Sequence, residues 1–116
     1  MSKAQWLKLS VSIMQDEKIR LIRRLPHGDS FFALWIGLLC FAMQRESAAL
    51  YIVDGEPASE CELALLLDCD EDVVAKGISI FERYKMIHRD AAGAIVITNF
   101  EDHQALDEME RQRELT

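Results

Sequence analysis

Residues 6–13 alternate apolar and polar side chains (Trp6, Leu7, Lys8, Leu9, Ser10, Val11, Ser12, Ile13). A period of two predicts a short strand or extended arm with one buried face. Across residues 15–25 the period changes: Ile19, Leu21, Ile22 and Leu25 recur at helical spacing. Asp16 and Glu17 fall in the first turn of that helix and Arg23 and Arg24 in its last, as the helix dipole favours. Pro26-His27-Gly28-Asp29 ends it. Residues 30–44 are apolar on nearly every side (Phe31, Phe32, Leu34, Trp35, Ile36, Leu38, Leu39, Cys40, Phe41, Met43). Such a pattern predicts a central helix, enclosed by the rest of the domain or by a partner chain, and Gly37 and Ala42 leave room for a close neighbour. Residues 50–53 read as a short strand ended by Asp54-Gly55.

The most informative stretch follows. Ser59 and Glu62, three apart and followed by Leu63, Ala64, Leu65, Leu66 and Leu67, form a capping box that opens a short helix. Asp68-Cys69-Asp70 is a turn, and Asp70 caps a second helix with Glu71 and Asp72 in its first turn. This helix runs to about Tyr84, with Val74, Ile78 and Phe81 on one stripe and Val73, Ile80 and Tyr84 beside it. Two helices joined so tightly make a helix-turn-helix. The β-prone segments 86–89 and 94–100 flank Asp90-Ala91-Ala92-Gly93, where Gly93 supplies a positive φ, and so predict a hairpin. The order of elements predicts a mainly α chain with a small β wing: a winged helix-turn-helix with an N-terminal arm and helix (1–29), a winged-helix core (30–100) and a C-terminal extending charged helix (101–116). The chain stops inside that charged pattern, so a further C-terminal region is expected beyond it.

Composition narrows the class. The chain has 116 residues, half of them hydrophobic, enough apolar side chain for one folded domain. The longest apolar run, residues 31–43, covers 13 residues, whereas a bilayer core needs about 20, so no membrane association is expected. Cys40, Cys61 and Cys69 are odd in number and lack C-x-x-C spacing. That pattern, with no secretion signal, indicates reduced thiols and a cytoplasmic location. The net charge of -7 speaks against a surface attracted to phosphate everywhere, though not against a local basic patch. The charge is unevenly laid out: residues 1–45 carry +4, and residues 54–72 hold eight acidic side chains with no Lys or Arg among them.

Several phrases carry a family resemblance. Trp6-Leu7-Lys8-Leu9 resembles a W-[IL]-K-L opening. Leu25-Pro26-His27-Gly28-Asp29-Ser30 and Leu34-Trp35-Ile36-Gly37-Leu38-Leu39-Cys40 resemble an L-P-x-G-D segment and the central helix after it. Phe81-Glu82-Arg83-Tyr84-Lys85-Met86-Ile87 and Ile95-Val96-Ile97-Thr98-Asn99-Phe100-Glu101-Asp102-His103-Gln104 are similar to a wing and an I-T-N-[WF]-x-x-[HY]-Q closing phrase. The family is the N-terminal domain of phage replisome organisers, related to DnaD-type primosomal proteins, and the resemblance spans about residues 5–114. It implies a winged-helix domain that self-associates and supports replication initiation and helicase loading at a phage origin, in the host cytosol. The implied partners are further copies of the chain, origin DNA, and a replicative helicase or its loader reached through the parent protein.

Two DNA-binding footprints are candidates. Lys76, Ser79 and Arg83 share a helix face by i, i+3 and i+7 spacing, with Lys85 and the wing residue Arg89 beside them. Arg20, Arg23 and Arg24, with Lys18, form a second cluster with no nearby acid after Glu17. Against them, the recognition helix opens on Glu71 and Asp72, and Asp72 precedes Lys76 by four residues, so only weak, salt-sensitive contact with DNA is expected. Trp6, Leu9, Val11, Phe31 and Trp35 are the candidate oligomer interface, because a small domain has more apolar surface here than its core encloses. No enzyme activity, metal or cofactor is expected. The histidines are scattered, no phosphate-binding Gly-rich loop occurs, and the Asp68, Asp70, Asp72 series lacks the glycine and glutamate of a calcium loop. The alternatives are a winged-helix transcriptional regulator and a protein-only oligomerisation scaffold using its acidic 54–72 face.

Overall fold

The computed structural model describes residues 6–52, 55–100 and 104. Among these, one 3-10 turn (Ile13–Gln15) leads into helices α1 (Glu17–Arg23), α2 (Gly28–Arg45), α3 (Glu60–Leu66) and α4 (Glu71–Arg83). An antiparallel pair, β1 (Ile87–Arg89) and β2 (Ile95–Ile97), follows. The domain is thus mainly helical with a small two-stranded sheet. α2 packs against α1 on one side and α4 on another, and α3 packs on α4. Ile19 and Ile22 of α1 belong to the same core as Leu38, Leu63, Ile78 and Ile95.

Helix starts follow local chemistry. The Asp16 carboxylate accepts the Ile19 amide at 3.1 Å, and Ser59 and Glu62 close their capping box at 3.1 and 3.0 Å. Each satisfies amides that the first helical turn leaves free. Asp70 occupies the N-cap position of α4, but its side chain makes no capping hydrogen bond. α2 begins differently. His27 takes a left-handed conformation (φ 61), and a Cβ on Gly28 would lie 2.4 Å from the Arg23 carbonyl oxygen. Only glycine lets the start of α2 rest on the end of α1, which is the physical content of the L-P-x-G-D phrase.

α3 and α4 end alike. Asp68 (φ 54) and Lys85 (φ 60) are left-handed, and the next amide returns to the helix: Cys69 N–H to the Ala64 carbonyl and Met86 N–H to the Phe81 carbonyl, both 2.9 Å. These are Schellman closures made without glycine. The first turns the chain directly from α3 into α4, and the second aims it into β1. The stripe Val74, Ile78 and Phe81 is buried as the periodicity predicts, and Phe81 meets Trp35 edge-on with ring centroids 5.1 Å apart.

The hairpin pairs Ile87 with Ile97 and Arg89 with Ile95. Its turn is closed by Gly93 (φ 85) and by Asp90, whose Oδ1 accepts the Ala92 and Ala94 amides, each at 2.9 Å. The free edge of β2 is covered: Leu50 N–H donates to the Ile95 carbonyl at 2.8 Å, and Ile97 N–H to the Ala48 carbonyl at 2.9 Å. The strand expected at 50–53 is therefore replaced by bridge-like pairing centred on Ala49. Leu50 then turns its own carbonyl to the Ala58 amide, at 3.0 Å. Val53 and Asp54 lie outside the described residues.

Three further expectations are corrected. Residues 6–13 form no strand: Trp6 is 78% and Val11 103% exposed. Period two specifies a buried face only where a neighbouring strand exists to pair with, and β2 already has both edges occupied. The first helix is shorter than 15–25, because Asp16 caps it and the Pro26 turn follows it. α2 is longer than 30–44 and is not enclosed on all sides, since Ala33, Cys40 and Gln44 are exposed. The charged helix expected after residue 101 lies outside the described residues, save Gln104.

Candidate nucleic-acid and assembly interface

On α4 the core stripe turns Asp72, Lys76, Ser79 and Arg83 outward together, and all four are exposed. No ion pair engages Lys76 or Arg83 among the described residues. Arg89 joins this face from the hairpin: its guanidinium reaches Glu82 Oε1 at 3.5 Å and donates to the Gly93 carbonyl at 3.2 Å. Part of its charge is thereby answered within the chain. Arg20, Arg23 and Arg24 stand on a separate helix, α1. The reading that no acid lies near them is corrected, because Arg23 Nε donates to Asp29 Oδ1 at 2.9 Å. The Gly28 contact brings the start of α2 that close. Arg23 also sits 5.8 Å over the Phe32 ring, which leaves Arg20 and Arg24 as the unpaired guanidinium groups of this cluster among the described residues.

The five candidate interface residues divide. Trp6, Leu9 and Val11 are exposed, whereas Phe31 is 5% exposed within the chain's own core and Trp35 is half-buried against Phe81. The arm is nonetheless fixed where Leu7 packs on the core and Lys8 is tethered beside it. The buried Gln104 carboxamide accepts the Lys8 amide and donates to the Lys8 carbonyl, both at 2.8 Å. It satisfies one residue's backbone as a paired strand would, across 96 residues of sequence. Sequence reasoning assigned Gln104 no role. Its one signal was its place at the end of the closing phrase 95–104, a phrase already rich in polar residues.

That tether forms one wall of a groove of about 440 Å³. Its floor is apolar (Trp35, Leu39, Ile97, Phe100), and Lys8, Lys18 and Lys85 stand around it with Asp16 as the one acid among the described residues of its lining. Lys18 and Lys85, expected beside the two DNA footprints, thus meet at a third surface. The opposite charge collects on α3 and its flanks, where Leu65 (78%) and Leu66 (56%) are exposed among Glu60, Glu62, Asp68 and Asp70.

Beside the hairpin, the Tyr51 hydroxyl donates to Asp90 Oδ2 at 2.7 Å. This bond, together with the turn amides of Ala94, Ala92 and Gly93, holds the Asp90 carboxyl below its usual range, and the same bond raises Tyr51. The three cysteines are free. Among the described residues no three His, Cys, Asp or Glu side chains converge where a metal ion could sit, and no helix is long and apolar enough to cross a membrane.

Two tightly linked helices, a hairpin braced by a third segment, and a surface partitioned by charge describe a small helix-rich module whose chemistry lies on its outside. Residues 6–116 match the family model of the N-terminal phage replisome organiser, and the chain belongs to that family. Its role is therefore in phage replication. No curated protein and no solved structure matches the chain.

Proposed function

We propose that this chain is a non-enzymatic winged-helix assembly module of a phage replisome organiser, in the host cytoplasm. It holds copies together and supports replication initiation and helicase loading at an origin, with weak direct contact to DNA. The winged-helix reading is supported by the α3–turn–α4–hairpin succession and by the pairing of residues 48–50 on β2. The observation that carries the assembly role is the tethered arm. Gln104 fixes Lys8 while Trp6, Leu9 and Val11 remain exposed, so apolar side chains are held out where a second chain would cover them. Light scattering across a concentration series tests this: mass should rise with concentration, and a strict monomer would overturn it.

The DNA contact uses Lys76, Ser79 and Arg83 on α4 with Arg89 at the hairpin, and Arg20, Arg23 and Arg24 on α1. With about three to four phosphates engaged, affinity for duplex should fall roughly 40- to 150-fold between 50 and 200 mM salt. Lys76→Glu with Arg83→Glu should remove most of the binding and flatten that dependence, and unchanged binding would reject this face. A transcriptional regulator would prefer one operator over random duplex by orders of magnitude; the assembly role has no such preference. Helicase or helicase-loader contact belongs to the parent protein in this reading.

A further inference from the structure

The lysine-rimmed groove and the acidic, leucine-bearing α3 lie on different sides of α2. Trp35 and Leu39 line the groove, whereas the Cα–H face of Gly37, where a Cβ would lie 3.5 Å from the Leu67 side chain, turns toward the end of α3. Two residues along a helix is a rotation of about 200°, so α2 stands between the two surfaces and one chain cannot bring them together. They are complementary in kind. One has an apolar floor with three lysines and one aspartate; the other projects two exposed leucines among carboxylates.

We propose that copies of this chain associate head to tail, with Leu65 and Leu66 of one copy seated on the groove floor of the next and its carboxylates facing Lys8, Lys18 and Lys85. The inference rests on the self-association reading above and extends its surface: Lys8, Leu9 and Ser10 of the arm line the groove, so a copy seated there also covers part of the arm. Charge selects this arrangement. A symmetric pairing of α3 with α3 would set Glu60, Glu62, Asp68 and Asp70 against their own copies, and a symmetric pairing of grooves would oppose lysines. Only the mixed contact answers both sets. Among the described residues, none of the three lysines has an ion-pair partner, and none of the acids in α3 or its flanking turns does either. Because the two surfaces are distinct, such contacts propagate and do not close on a pair. α3 is seven residues long, well short of the 20–30 residues a side of a standard stable interface. The association is therefore weak, concentration-dependent and reduced by salt.

Complementation of two variants tests this. Leu65→Ser with Leu66→Ser removes the projecting leucines, and Lys18→Glu with Lys85→Glu reverses the groove; all four side chains are exposed. Circular dichroism and thermal melting verify that each variant is folded. Each alone should remain monomeric at concentrations where the wild-type mass rises, while their equimolar mixture should give a two-chain species and nothing larger. Glu60→Lys with Asp68→Lys, mixed with the groove reversal, restores both kinds of contact and should again assemble beyond two chains. If wild type assembles and both variants assemble equally well, the arm carries association and the head-to-tail contact is wrong while the assembly role stands. A mixture of singly defective variants that stays monomeric overturns it too. If the groove reversal weakens duplex binding and leaves assembly intact, the groove is a DNA surface. A monomeric wild type defeats both readings.

Discussion

The N-terminal arm and the hairpin carry the same signal, alternating apolar residues, and reach opposite outcomes. In the hairpin, Ile95 is 0% and Ile97 2% exposed; in the arm, Trp6 is 78% and Val11 103% exposed. The difference is not in strand propensity. The hairpin has a turn that brings its halves together, closed by Asp90 and Gly93, and a third segment at 48–50 on its far edge. The arm has no partner nearby in sequence; among the described residues its long-range hydrogen bonds come from one carboxamide, beside Leu7 packed on the core. Alternation states which face would be buried; pairing decides whether anything buries it.

Mutations should separate the two regions sharply. Ile95→Ala leaves a cavity where three segments meet and should cost about 2–5 kcal/mol in denaturant unfolding; a cost below ~1 kcal/mol would mean that the hairpin is not integral to the core. Gln104→Ala should cost about 1–3 kcal/mol and speed hydrogen exchange at the Lys8 amide, leaving hairpin amides protected. Unchanged exchange at Lys8 would show that the arm is held by something else. Gly93→Ala places a Cβ on a left-handed residue with open space around it, so backbone strain alone should cost about 1–2 kcal/mol. Val11→Ser should move stability by less than ~0.5 kcal/mol while lowering self-association in light scattering; unchanged association would remove Val11 from the interface.

The hairpin should also be the acid-sensitive part. Asp90 titrates lower in the folded chain than the usual carboxylate value of about 3.9. Its stabilising contribution is therefore present above that value and is lost as pH falls through the lowered one. Tyr51→Phe removes the first cause of the shift and should raise the Asp90 titration midpoint toward the ordinary value, as read by carboxyl NMR. An unchanged midpoint would assign the effect to the turn amides instead.

Much of the interior was legible because its determinants are local. Ser59 and Glu62 announce their capping box, and Val74, Ile78 and Phe81 announce a buried stripe. Asp90 and Gly93 announce a turn. The surface was less legible. The spacing of Lys76, Ser79 and Arg83 reveals a shared face, but nothing near Arg23 in sequence reveals that Gly28 permits an approach bringing Asp29 to its guanidinium. Nor does any period reveal that Lys18 and Lys85 share a groove.

By itself the sequence determined where α3 and α4 begin, which stripe of α4 is buried and where the hairpin turns, because capping, periodicity and left-handed turn residues act within a few positions of the chain. Only the tertiary structure decided that the arm stays unpaired, that Gln104 stands in for a strand neighbour, and that basic and acidic surfaces fall on different sides of α2. Those outcomes depend on which distant segments reach an open hydrogen-bonding edge or a free charge first, and the edge of β2 was taken by residues 48–50.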